Sequence, residues 1–242
     1  MHQPHHHRSL IYRSRWHWIA TLAIVAAPFF YLIIFSHLAN IASGQLGADV
    51  LASLGRVIAA YIASVVLAWI LAVIFSSGKI SVIALPIFDV LQSFPTFALL
   101  PLAVLTLGPG ETTIIFFLII TIIWPILFSI ISSLKLIKND WYEAVRIYRL
   151  RGWRYVRYFL LPASIPGLIT GTIIGLGEGW EALIATEIIV HTPHGLGNFF
   201  QTFSQNIPIT TFGVLGFLLL VFSINHLIWL PLLEWSHKQL EE

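Results

Sequence analysis

Three glutamates stand in a run of residues that offers them little polar company. Gly175-Leu176-Gly177-Glu178-Gly179-Trp180-Glu181 is followed by Glu187, and the flanking sequence is almost wholly apolar. Glu178 and Glu181 are three apart and share one face of a helix, while Glu187 is rotated well away from both. Acids so placed suit two kinds of chemistry. They can hand on a proton, as an acid–base pair or a proton relay does. They can also line a wet path and bias the charge of what moves along it. A structural alternative stands beside both: pairing with basic groups or polar backbone at a helix or subunit interface. Glu187 is expected to take that hydrogen-bonding role. Gly175, Gly177 and Gly179 permit close helix contact or local unwinding. Glu178, Trp180 and Glu181 are therefore candidate path residues. Gln92 and Ser93, beside Asp89 in a run interrupted by prolines, are candidates of the same kind. Their alternative is hydrogen bonding to backbone freed by Pro95.

Other chemistries are excluded by what the chain lacks. It has no cysteine, hence no disulfide, thiolate metal site or cysteine nucleophile. No H-E-x-x-H, G-x-S-x-G or G-x-x-x-x-G-K-[ST] occurs, so zinc-peptidase, hydrolase-elbow and nucleotide-phosphate motifs are all missing. No catalytic residue, metal or cofactor is expected. His2, His5, His6 and His7 read as a flexible tail rather than a ligand set. His191 and His194 lie in the outer loop without a nearby acid or a spaced third ligand, and read as turn residues. A net charge of +2 gives no argument for nucleic acid.

The elements that must hold these residues follow from composition. The chain of 242 residues is 57% hydrophobic and 10% charged, with a mean hydropathy of +0.86. A soluble domain has about 25% charged residues, and one globular core cannot hide this excess of apolar surface. The reading is an all-α polytopic membrane protein with six spans, near 17–38, 50–76, 84–107, 112–134, 166–190 and 210–233. The first run is too long for a signal-peptide core and has no small-x-small cleavage site, so it is read as a retained span. Asp89 and prolines 86, 95 and 101 mark the third span as kinked or partly unwound. Of the 13 basic residues, all but Arg56 fall on one side of this six-span frame. That asymmetry puts both termini in the cytoplasm. Arg56 is expected to snorkel from the outer end of span two. The domain reading is a cytoplasmic tail over 1–16, a membrane domain over 17–235 with a cytoplasmic loop at 135–165, and a tail over 236–242.

The cytoplasmic loop holds Trp141–Pro162, in which Glu143, Arg146, Arg149, Arg151, Arg154 and Arg157 crowd together. Asp140 and Glu143 stand in the capping-box relation, predicting a short helix. Trp141, Val145, Tyr148 and Leu150 make its apolar stripe, and Gly152 is expected to end it in a left-handed cap. A second segment, Trp153–Leu161, follows, with Pro162 and Pro166 punctuating the start of span five. An interfacial helix anchored by arginine to lipid phosphate has the same composition.

Residue order adds a resemblance. Glu143-Ala144-Val145 and Leu161-Pro162 are similar to the EAA loop of binding-protein-dependent ABC importer permeases. That pattern reads E-A-A, three residues, G, nine residues, I, one residue, L-P. Val145, Arg149 and Phe159 depart from it at the second alanine, the glycine and the isoleucine. The order of other segments resembles the nitrate/sulfonate/taurine branch. These are Pro95-Thr96-Phe97-Ala98-Leu99-Leu100-Pro101-Leu102, Leu107-Gly108-Pro109-Gly110-Glu111, Leu161 through Gly167, Thr170-Gly171, Trp180, Ala185-Thr186-Glu187 and Gly195-Leu196-Gly197. The likeness runs over residues 50 to 235.

The resemblance implies a non-catalytic permease subunit of the bacterial inner membrane. Glu143, Ala144, Val145, Arg149, Gly152, Leu161 and Pro162 would form the loop that docks on a separate ABC ATPase. One such loop per chain implies two ATPase copies and a second permease copy, most simply as a C2 homodimer. A periplasmic or lipid-anchored solute-binding protein would deliver a nitrate-, sulfonate- or taurine-like ion or a thiamine-precursor-like nutrient. A proton-coupled secondary transporter and an intramembrane enzyme using Glu178 and Glu181 are the alternatives.

Overall fold

The aliphatic run that follows Glu111 becomes the axis around which the other helices gather. The computed structural model of the chain describes residues 15–75, 78–229 and 231–232, and every regular element among them is helical. In chain order these are α1 (Arg15–Leu38), α2 (Ser43–Phe75), α3 (Gly78–Gln92), α4 (Leu100–Leu107), α5 (Glu111–Lys135), α6 (Asn139–Ile147), α7 (Trp153–Tyr155), α8 (Leu161–Val190), α9 (Leu196–Thr202) and α10 (Ile207–Ile224). The expectations for His2, His5, His6 and His7 and for the tail over 236–242 lie outside the described residues.

Among the described residues five helices are long and apolar enough to cross a membrane, and there are six if α3 and the segment through α4 count as one broken span. The two halves of that pair are bent by 78°. The break falls before Pro95, where a missing amide and a restricted preceding residue make continuation costly. Span boundaries differ elsewhere. α2 begins at Ser43 rather than near 50, and the third span begins near Gly78 rather than 84. The largest difference is at span five. Pro162 and Pro166 do not interrupt the chain; a π-helical turn, Val156–Leu160, joins α7 directly to α8. Pro162 has no amide to return along the helix, and the wider turn just before it is the accommodation.

α5 packs most extensively on α8 and next on α2. Its Ile114, Leu118, Ile122, Ile126 and Ile130 repeat every four residues and are fully buried. α8 answers with Gly167, Gly171, Gly175 and Gly179 at the same spacing. A Cβ on Gly167 would stand 2.3 Å from the Ser129 carbonyl oxygen, and one on Gly171 2.6 Å from Ile126 Cα. The two backbones thus touch along an antiparallel seam. Lipid gives helices no solvent-driven reason to associate, so close backbone packing supplies it. Of the three glycines expected to allow such contact, Gly175 and Gly179 do; Gly177 faces open space.

α2 contributes a second small-residue line: Ala60, Ser64, Ala68 and Ala72 are fully buried. Polar ties fasten the three helices at the loop end. The Trp69 indole N–H donates to Ser164 Oγ at 3.0 Å, and Ser133 Oγ donates to the Ala163 carbonyl at 2.9 Å. A separate cluster of Phe35, Leu46 and Phe199 joins α1, α2 and α9. Tyr31 Oη attaches α1 to α10 by donating to the Phe212 carbonyl at 2.7 Å.

Candidate functional site

At the end of α5 and α8 remote from the basic loop, the charges close on one another. Arg56 does not snorkel: it is only 6% exposed and is held from two sides. Its Nε donates to Glu111 Oε2 at 2.7 Å while Nη2 donates to Glu111 Oε1, a two-pronged pairing. Its Nη1 donates to Glu187 Oε1 and, at 2.9 Å, to the His194 carbonyl. Removing a guanidinium from water is costly unless every face is satisfied, and here the partners are fixed by two helices and a turn.

Glu187 is fully buried and saturated. Besides Arg56 it accepts from Ser53 Oγ at 2.8 Å and from the Gly197 amide at 2.8 Å. Ser53 Oγ in turn accepts the Leu196 amide at 2.8 Å, and Asp49 Oδ1 accepts the Gly195 amide at 3.0 Å. His194 does have an acid beside it: its Nδ1 lies 3.6 Å from Asp49 Oδ1. Sequence distance hid that neighbour. Gly195, at φ 141°, must be glycine, since a Cβ would stand 2.6 Å from Glu187 Oε2. Asp49 and Ser53 were missed as site residues. Their signal was present: with Arg56 they repeat at four and three residues on one face of α2.

A second feature lies beside the α5–α8 seam, at the break between α3 and α4. It is a cavity of about 350 Å³ lined by Gln92, Thr96, Trp124, Phe128, Ser129 and Glu178, among others. Gln92 and Glu178, two of the five candidate path residues, are thus brought together in one lining. The remaining three are not. Ser93 Oγ donates to the Asp89 carbonyl at 2.7 Å, one that also accepts the Ser93 amide and so is not the backbone freed by Pro95. Trp180 is 6% exposed, facing α10 with its ring centroid 5.5 Å from that of Phe217. Glu181 is exposed and lies outside the cavity lining. The reason is helical: Glu178 follows Gly175 by three residues and looks along the seam, while Trp180 points across it. Glu178 has no hydrogen-bonded or ion-paired partner among the described residues. A carboxylate at mid-helix in a membrane costs ~2.5–3.5 kcal/mol, so an unpaired one implies a wet or occupied cavity.

The basic loop folds as two short segments with a different cap from the expected one. Asp140 sits in the first turn of α6 rather than capping it; the cap position is Lys138, with no side-chain bond. The helix ends in a Schellman motif. The Leu150 amide donates to the Val145 carbonyl at 3.0 Å and the Arg149 amide to the Arg146 carbonyl at 3.1 Å. Its left-handed residue is Arg149, φ 48°, and not Gly152. Gly152, φ 55°, instead opens α7. The expected apolar stripe is split. Val145 packs against the core, while Trp141, Ile147, Tyr148 and Trp153 stand exposed around Glu143. Tyr142 and Tyr155 both lie against Phe159, each with ring centroids 5.3 Å apart, and hold the segments to the start of α8.

Residues 64–232 match the family model described as the binding-protein-dependent transport system inner membrane component. The chain is 35% identical over 146 residues to a nitrate import permease protein of Synechocystis sp., covering 60% of this chain and 53% of the relative. It is 31% identical over 158 residues to a bicarbonate transport system permease protein of the same source, covering 64% and 56%. A taurine transport system permease protein of Escherichia coli is 30% identical over 198 residues, covering 77% and 71%. The chain thus spans just over half the length of the first two relatives.

Proposed function

The chain belongs to the inner-membrane component family of binding-protein-dependent transport systems, and on that premise we propose that it is the permease subunit of an ATP-driven importer. It forms the path for a small nutrient or ion and is moved by a separate ABC ATPase. Two ATPase copies, a second permease copy in a C2 homodimer and an extracytoplasmic solute-binding protein complete the assembly. The relatives are named for nitrate, bicarbonate and taurine, which marks small polar solutes as the class to test. Both termini and the loop over 135–165 face the cytoplasm, the membrane domain runs over 17–235, and the short tails flank it.

One observation carries this reading. α6 ends in a Schellman motif and stands exposed with an aromatic rim; the five-residue turn 148–152 links it to α7, which runs through the π turn into α8 without interruption. α8 is in backbone contact with α5, so a push on α6 reaches the seam beside the cavity. In that coupling Glu143 and Ala144 present the docking face, while Arg149 and Gly152 set the two bends. Val145 and Leu161-Pro162 tie the loop to the membrane helices. Gln92 and Glu178 line the path.

The test is co-expression with candidate ATPase subunits, followed by ATP-dependent uptake in vesicles. Glu143→Arg is expected to abolish ATPase co-purification while the chain still inserts. Uptake driven by a proton gradient with no ATPase present would overturn the importer in favour of a secondary transporter using Glu178.

A further inference from the structure

The polar groups of the cavity are unequal in charge. Among the described residues Glu178 is its one ionisable lining residue, and no basic side chain of theirs is in the lining. Gln92 stands next to a second acid, its Nε2 donating to Asp89 Oδ1 at 2.9 Å. Ser129, Thr96 and the Trp124 indole have no hydrogen-bond partner among the described residues. Trp124 and Phe128 add aromatic faces. Such rings attract cations, and an unpaired carboxylate opposes any anion brought beside it. Arg56 does not offset Glu178: it is closed on Glu111 and Glu187 at the far end of the helices. At about 350 Å³ the space suits a compact molecule.

We propose that this cavity binds a compact organic cation, such as a protonated amine or amidine on a small flat body, with Glu178 as its counter-ion and Trp124 and Phe128 as its aromatic walls. This rests on the permease reading and narrows it. The solute that halts here differs in charge from the nitrate and bicarbonate named for the relatives. Ser129 and Thr96 hydroxyls and the Gln92 carbonyl oxygen accept its remaining N–H groups.

Three probes of like shape and different charge test the assignment: benzylammonium, benzyl alcohol and benzoate. Each is titrated calorimetrically into the chain, as purified with its partners, in nanodiscs of zwitterionic lipid, with empty nanodiscs subtracted. Saturable binding is expected for benzylammonium alone. Glu178→Gln should weaken it about tenfold, the scale of one lost charge-assisted contact, and Trp124→Leu should weaken it separately. Asp140→Asn, in the basic loop away from the cavity, should retain it. Preferential binding of benzoate, no saturable binding at all, or an equal loss in Asp140→Asn overturns the proposal. ATPase capture on the same preparations separates the two readings. Retained capture without benzylammonium binding rejects the cavity assignment alone, whereas loss of wild-type capture rejects the importer.

Discussion

Arg149 occupies a conformation that most side chains avoid, and it does so where the family pattern keeps glycine. At φ 48° its Cβ crowds its own backbone, a cost of about 1 kcal/mol or slightly more. The Schellman hydrogen bonds hold it there. Arg149→Gly is therefore expected to stabilise the loop by about 1 kcal/mol, read as slower hydrogen exchange at the Leu150 amide. Arg56 is the opposite case, a residue whose geometry is satisfied and whose removal is severe. Arg56→Met leaves Glu187 buried without its cation and is expected to cost ~3–5 kcal/mol in detergent unfolding titrations. Pairing it with Glu187→Gln should recover part of that loss, because the amide carries no charge to neutralise.

At the scale of elements, the α5–α8 seam is a matter of what is absent. Each glycine of the 167–171–175–179 line removes a side chain where the facing backbone or side chains of α5 stand within about 3 Å of a would-be Cβ. Gly171→Val should force the helices apart and destabilise the protein by ~1–3 kcal/mol in the same titration. Gly177→Val, which meets open space, should be tolerated. A loss of similar size in both variants would count against the seam. The four-residue period of these glycines was legible in the sequence, but it also fits a flexible or unwound stretch. Only the facing Ile122 and Ile126 make it a contact. α3 and α4 were likewise legible as a broken span from prolines 86, 95 and 101. The angle of the break was not, because it depends on what the two halves pack against.

For the molecule as a whole, sidedness is the property on which the importer reading turns. The absence of cysteine makes it directly measurable. Tyr148→Cys is exposed in the basic loop and Pro193→Cys stands in the turn at the other end. The first is expected to react with a membrane-impermeant maleimide only in inverted vesicles, and the second only in intact cells. Labelling of both from one side would refute the six-span frame.

What the sequence by itself determined is a set of local and additive properties. The membrane as solvent follows from summed hydropathy, the helices from apolar length, and the orientation expected from the tally of lysine and arginine. The basic loop's helix follows from its pattern, and the family from residue order. Tertiary structure decided which charged groups meet. Arg56, Glu111 and Glu187 are far apart in sequence, and their pairing turned an expected snorkelling arginine into a buried clasp on the 191–197 turn. Glu178 lines the cavity beside the seam, while Trp180, two residues on, is drawn into packing against α10. Ion pairing and cavity lining depend on which helices lie side by side and at what rotation, and that is fixed by packing across the seam rather than by any local run of residues.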